Sequence, residues 1–128
     1  MLDVLRCPCR KKSETVAYVD CCGPFHSGLR AAATAEALMR SRYSAFALGK
    51  PDYLAATWHA STRPDHIGIE PERIWLQLRV VEARTEGDRA TVEFIARSRL
   101  GGAGQALHEV SRFVREAGRW YYVDGKIG

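Results

Sequence analysis

Cys7, Cys9, Cys21 and Cys22 are all the cysteines of this 128-residue chain, and they fall within one short stretch. Thiolate is a preferred ligand of zinc, which takes four donors in a tetrahedron. In Cys7-Pro8-Cys9 a proline-stiffened turn can aim both sulfurs one way. A strand would splay the adjacent Cys21 and Cys22 to opposite faces, but a turn or a helix start can bring them together, and Gly23-Pro24 follows them. The eleven residues between the pairs suffice for a small hairpin carrying both. The pattern therefore predicts a closed, structural Zn²⁺ site on Cys7, Cys9, Cys21 and Cys22, with His26 as the alternative to Cys22. Arg10, Lys11 and Lys12 would offset its negative charge. The competing uses are burial as small apolar side chains and disulfides in oxidising surroundings. The redox pattern C-x-x-C is absent.

The elements around this cluster read in order. Residues 1–28 carry little apolar mass and many turn-formers, so a metal is expected to hold them. Residues 33–49 predict a helix capped by Thr34 and stopped by Gly49. Its apolar face is Ala35, Leu38, Met39, Arg42, Tyr43 and Phe46, with Glu36, Arg40, Ser41 and Ser44 opposite. Pro51 opens a second helix expected to reach Thr57-Trp58-His59. After Glu72 the period changes to two. Ile74, Leu76, Leu78 and Val80 share one face of a first strand, and Ala90, Val92, Phe94 and Ala96 one face of a second. Third and fourth strands are expected at 106–115 and 119–124. The turns at Glu86-Gly87-Asp88, Gly101-Gly102-Ala103-Gly104 and Glu116-Ala117-Gly118 are too short for parallel crossovers, so the sheet is an antiparallel meander. Helices followed by strands give an α+β layout.

Composition excludes some classes. The net charge is +4 and the basic residues are dispersed, without the block that marks a nucleic-acid tail. No run approaches the ~18 apolar residues of a membrane span, and the chain is expected in a reducing cytoplasm. A homodimer is compatible with the sequence.

Cys7-x-Cys9 with Tyr18-x-x-Cys21-Cys22-Gly23 resembles the SEC-C motif, a small zinc-binding module. The resemblance extends along the chain. Cys21-Cys22-Gly23-Pro24-Phe25-His26, Leu38-Met39-Arg40-Ser41-Arg42-Tyr43-Ser44-Ala45-Phe46, Asp52-Tyr53-Leu54 with Thr57-Trp58-His59, and His108-Glu109 with Phe113 and Gly118-Arg119-Trp120-Tyr121-Tyr122 are together similar to the YchJ family of bacterial proteins. That resemblance implies a SEC-C-like zinc-binding element at 1–28 and, at 29–128, a nuclear transport factor 2-like cone: two helices packed on a curved antiparallel four-stranded sheet. It implies no established activity. It carries the four cysteines over as ligands.

Such a cone often holds a pocket between helices and sheet. Its lining here would include Arg42, Tyr43, Phe46, Trp58, His59, Phe94, Glu109, Phe113, Trp120 and Tyr122. Packing as plain core is the bland alternative for these aromatics. If Phe113 points inward, Glu109 and Ser111 do too, and a buried Glu109 would need Arg42 as partner. Acid–base catalysis would call on His59 with Glu109 or Asp52. The reading favoured by the sequence is a zinc-stabilised adaptor with a protein partner. The alternative is a small-molecule binder or enzyme using the cone pocket.

Overall fold

A computed structural model describes residues 5–11 and 14–127. Lys12 of the basic cluster lies outside them. The described chain contains helices α1 (Gly23–His26), α2 (Ala35–Leu48) and α3 (Pro51–Ala56), then strands β1 (Ile74–Glu86), β2 (Arg89–Leu100), β3 (Ala103–Glu116) and β4 (Arg119–Ile127). The strands form one antiparallel sheet in the order β1-β2-β3-β4. This is the expected α+β cone with an N-terminal cysteine cluster.

Helix α2 begins and ends as its sequence demands. The Thr34 hydroxyl accepts from the Ala37 N–H at 3.0 Å, satisfying one of the free donors of the first turn. Gly49 adopts φ 72°, a left-handed geometry that suits a residue without Cβ. Two-residue hairpins at Gly87-Asp88, Gly101-Gly102 and Ala117-Gly118 join the strands. Gly101 and Gly102 have φ 58° and 85°, the mirror-image turn that matches strand twist.

The strand faces divide as predicted along β2, where Ala90, Val92, Phe94, Ala96 and Ser98 are buried. On β3, Phe113 and Ser111 are 1% and 2% exposed. The first strand departs from simple alternation. Its register shifts between Trp75 and Gln77, a bulge that transfers the inward position from one parity to the other. Trp75 therefore packs edge-on against Tyr43, with ring centroids 5.4 Å apart, while Ile74 and Leu76 are exposed. The expected inward set Ile74, Leu76, Leu78 and Val80 is corrected to Trp75, Leu78 and Val80.

Two helix expectations also need correction. Helix α3 stops at Ala56, because the next residues pair with β4 instead: the His59 N–H donates to the Tyr122 carbonyl at 2.7 Å, and the Tyr122 N–H donates to the Thr57 carbonyl at 2.8 Å. The face of α2 expected to be polar is only partly solvated: Glu36 and Arg40 remain partly exposed, but the two serines do not. Ser41 and Ser44 are 0% exposed, because α2 is covered by the sheet on one side and by the N-terminal element on another. Serine is tolerable there since each hydroxyl finds a partner: Ser41 Oγ donates to the Leu38 carbonyl and meets Tyr53 Oη, both at 2.7 Å, and Ser44 Oγ meets Cys7 Sγ at 3.5 Å.

The N-terminal element is a small antiparallel pairing, with Cys7 N–H donating to the Val16 carbonyl and Tyr18 N–H to the Leu5 carbonyl, followed by a 3₁₀ turn at Tyr18–Asp20 and by α1. Its buried cysteines belong to the same apolar cluster as Leu38, Met39, Phe113 and Trp120. Among the described residues no helix is long and apolar enough to cross a membrane.

Candidate metal centre and cone cavity

The 5–7/16–18 pairing puts Cys7 and Cys9 at one end of the element, and the turn into α1 returns Cys21 and Cys22 to the same place. The four sulfurs lie within 4.8 Å of one another. Sγ–Sγ distances are 3.6 Å for Cys7–Cys9 and for Cys9–Cys21, 3.7 Å for Cys9–Cys22 and 4.0 Å for Cys21–Cys22. A tetrahedral thiolate site with metal–sulfur bonds of about 2.3 Å has edges of about 3.8 Å. The spacing thus fits a shared tetrahedral ion, and is far too long for disulfides; all four cysteines are free. Cys7, Cys9 and Cys22 are buried and Cys21 is partly exposed.

The electrostatics ask for a cation. Hydrogen bonding to Cys22 and Cys9 draws the Cys7 thiol well below its usual range. Hydrogen bonding to Cys7, then to Cys9, and burial hold the Cys22 thiol far above it. For Cys9 the bond with Cys22 lowers the pKa, but the bond with Cys7, burial and neighbouring sulfur charges outweigh it and push it up to about 12. Left to themselves the sulfurs cannot all ionise, and a metal ion in their midst removes that conflict. Arg10 adds a local positive charge: its Nε donates to Cys21 Sγ at 3.4 Å.

The structure brings Cys22 into the sulfur cluster and leaves His26 engaged elsewhere. The Ser41 carbonyl can only accept, so His26 Nε2 carries the proton it donates at 2.7 Å, and Nδ1 must accept from the Tyr18 hydroxyl, also at 2.7 Å. Burial pushes His26 below its ordinary range, in keeping with a neutral ring. Neither nitrogen is spare for a metal.

A second feature lies between α2 and the inner face of the sheet. It is a cavity of about 660 Å³ lined by Met39, Arg42, Tyr43, Phe46, Trp58, Trp75, Phe94, Phe113 and Tyr122, among others. Small residues Ala96, Ser98 and Ser111 leave the space open. Arg73, with Gly68, Ile69 and Glu70, stands at one side of it. The Arg73 guanidinium bonds Glu70 at 3.0 Å, Ser98 Oγ at 2.8 Å and Gln105 Oε1 at 2.7 Å, so it ties the loop before β1 to β2 and β3.

Arg42 is 5% exposed in this cavity. Its Nη1 donates to the Leu54 carbonyl at 2.8 Å and to Thr57 Oγ1 at 2.7 Å, and it lies 5.0 Å from the Trp58 ring centroid and 4.5 Å from that of Tyr122. Glu109 is not its ion-pair partner as expected. The Glu109 carboxylate accepts from Ser111 Oγ and rests on Gly125, where any Cβ would collide with it. Two of the expected lining residues sit elsewhere. His59 is held outside the cavity, with Nε2 at 2.8 Å from Glu116 and Nδ1 at 2.6 Å from Ser61, because the segment 57–59 follows the outer edge of β4. Trp120 lines a separate cleft with Phe25, His26 and Tyr53. The acid–base pair of His59 with Glu109 or Asp52 is therefore not assembled. Sequence reasoning missed Trp75 and Arg73. The bulge that turns Trp75 inward has no marker in the residue pattern, and Arg73 precedes the first strand in what reads as loop.

Residues 34–125 match the family model described as the middle, NTF2-like domain of YchJ. The chain belongs to the YchJ-like family. Relatives include a UPF0225 protein of Polaromonas naphthalenivorans, 49% identical over 129 residues that cover 93% of this chain and 95% of the relative. A UPF0225 protein of Bordetella pertussis is 51% identical over 127 residues, covering 94% and 92%. Among solved structures, the solution structure of a SEC-C motif containing protein from Rhodopseudomonas palustris superposes with a TM-score of 0.82 at 42% identity, over 95% of this chain and 98% of that one. The crystal structure of a SEC-C motif containing protein from Psychrobacter arcticus gives 0.79 at 35% identity, over 96% and 82%. The likeness thus takes in the cysteine element as well as the cone.

Proposed function

We propose that this YchJ-like protein is a small-molecule-binding protein, whose cone cavity takes an organic ligand and whose N-terminal element is folded by one structural Zn²⁺ on Cys7, Cys9, Cys21 and Cys22. The observation that carries the reading is the cavity itself: about 660 Å³, apolar-walled, with the buried Arg42 in its lining. Ligand sites fall in the range of about 300–1,000 Å³ with a few placed polar groups. A cavity without occupant costs stability, on the order of 24 cal/mol per Å³ in core substitutions. Larger residues at Ala96, Ser98 or Ser111 would have removed it. Binding is favoured over turnover because no imidazole lines the cavity, and its carboxylates Glu109 and Glu70 are held by Ser111 and Arg73. Zinc is favoured among soft metals by the all-thiolate donor set at tetrahedral spacing and by closed coordination.

Protein-observed NMR with a fragment library tests the cavity. Hits should shift Met39, Tyr43, Phe94 and Phe113 together; shifts confined to the outer sheet face would remove the reading. Elemental analysis of the purified chain should find one zinc per molecule.

A second reading is favoured by one observation. Val19 of the N-terminal element and Leu29 just after it are 69% and 80% exposed, and the same element carries the basic Arg10 and Lys11. An adaptor role would use them to hold an acidic, apolar protein segment. Val19→Ser with Leu29→Ser should then abolish cross-linking to that partner, whereas unchanged cross-linking would discard the role.

A further inference from the structure

We propose that the cavity takes an apolar monocarboxylate, its anionic end on Arg42 and the Trp58 indole N–H and its body among Tyr43, Phe46, Trp75 and Phe94. This assignment rests on reading the cavity as a ligand site.

Four observations lead to it. The first is the bonding of Arg42. Only Nη1 has hydrogen-bond partners among the described residues, and both partners are neutral oxygens. Rings lie against the guanidinium, with the Trp58 and Tyr122 centroids 5.0 and 4.5 Å from Cζ. A planar fork so stacked is free for further bonds at its remaining N–H groups, the arrangement that suits a carboxylate. Burial pushes Arg42 down to about 10, the mark of a desolvated cation without adequate compensation.

The second is Trp58 Nε1, which among the described residues is the buried side-chain polar atom left without a hydrogen-bond partner. A buried orphan donor costs roughly 1–3 kcal/mol, so its retention calls for an acceptor. It belongs to the same ring that stacks on Arg42. The third is valence. Arg73, the other cationic lining residue, is paired with Glu70, and Glu109 adds a carboxylate to the wall. That leaves Arg42 as the one lining cation bonded only to neutral oxygens, and a single cation matches a single negative charge better than two. The fourth is the body of the cavity, whose T-shaped Tyr43–Trp75 contact and neighbouring Phe46 present ring faces and edges to an apolar guest.

The test is calorimetric titration of the full, zinc-loaded chain with 2-naphthoate, its neutral isostere 2-naphthamide and 2-naphthyl phosphate. The acid should bind at least tenfold more tightly than the amide, and more tightly than the phosphate. Arg42→Met should bring the acid/amide ratio close to one while the amide still binds. Trp58→Phe should reduce the ratio without erasing it, and decides the matter together with the wild-type ratio if Arg42→Met does not fold. Equal binding of acid and amide by the wild type would overturn the carboxylate assignment and leave the cavity as a ligand site. A tighter phosphate would likewise overturn it. Binding of none of the three would overturn both the assignment and the reading on which it rests.

Discussion

His26 and Cys22 lie four residues apart and face opposite duties. His26 spends both ring nitrogens on Tyr18 and Ser41, fastening α1 to α2, while Cys22 turns its sulfur toward Cys9. Cys22→Ser should therefore lose stoichiometric zinc. His26→Gln should keep it and lose about 2 kcal/mol of stability, the worth of two hydrogen bonds of roughly 1 kcal/mol each. Elemental analysis and thermal unfolding of the two variants separate these outcomes, and a zinc-free His26→Gln would reverse the assignment. The grouping of Cys7, Cys9, Cys21 and Cys22 was legible in the sequence, because few folds use four thiols so closely spaced in any other way. Arg42 was legible only by position. Its place on an apolar helix face was plain, but its partner was not, since the choice between Glu109 and the Leu54 carbonyl depends on how α3 meets α2.

At the level of elements, α2 joins the metal centre to the cavity. Arg40 Nη1 donates to the Cys9 carbonyl at 3.0 Å, Ser41 receives His26, and Ser44 touches Cys7, while Arg42 and Tyr43 line the cavity. Thr34→Ala should cost about 1 kcal/mol by removing the cap of this helix, seen as a lower unfolding midpoint. The β3–β4 turn offers the opposite case. Ala117 has φ 52° in a turn whose other central residue, Gly118, has φ 76°. A left-handed alanine costs on the order of 1 kcal/mol, and Asn tolerates that geometry better. Ala117→Asn should raise the melting temperature by a few degrees; a drop would show that the turn is not strained. The boundaries of α2 and the positions of the three hairpins could be read from Thr34, Gly49 and the glycine turns, because those signals are local, but β3 begins at Ala103, inside the turn expected at 101–104, because Ala103 and Gly104 pair with Leu100 and Arg99. The end of α3 and the bulge at Trp75–Gln77 could not be read, because both are set by long-range pairing, with β4 and β2 respectively.

For the whole molecule, Cys7, Cys9 and Cys22 are buried in the same cluster as the cone's core and Cys21 packs against it, so metal removal should be felt beyond the N-terminal element. Chelation is expected to lower the unfolding temperature and to speed amide exchange in residues 5–28 and the adjoining turns of α2, while the paired strands stay protected. An unchanged melting curve after complete zinc removal would mean that the sulfurs pack as ordinary apolar groups. The α+β order was visible in the change of period after Glu72, whereas the cavity was expected only from the family resemblance, with packing as plain core as its alternative. The cavity exists because Ala96, Ser98 and Ser111 converge on α2 from neighbouring strands, a coincidence of register rather than of sequence.

The central claim is that the cone is built around a space for a ligand. It is tested most directly by titrating the folded chain with the aromatic sulfonate 1-anilinonaphthalene-8-sulfonate and comparing an Ala96→Phe variant shown to be folded by circular dichroism. Ala96 is 2% exposed and lines the cavity, so a phenyl ring there fills the site. Saturable one-to-one fluorescence enhancement is expected with the wild type, and its loss in Ala96→Phe. No saturable enhancement, or equal enhancement in both proteins, would contradict it.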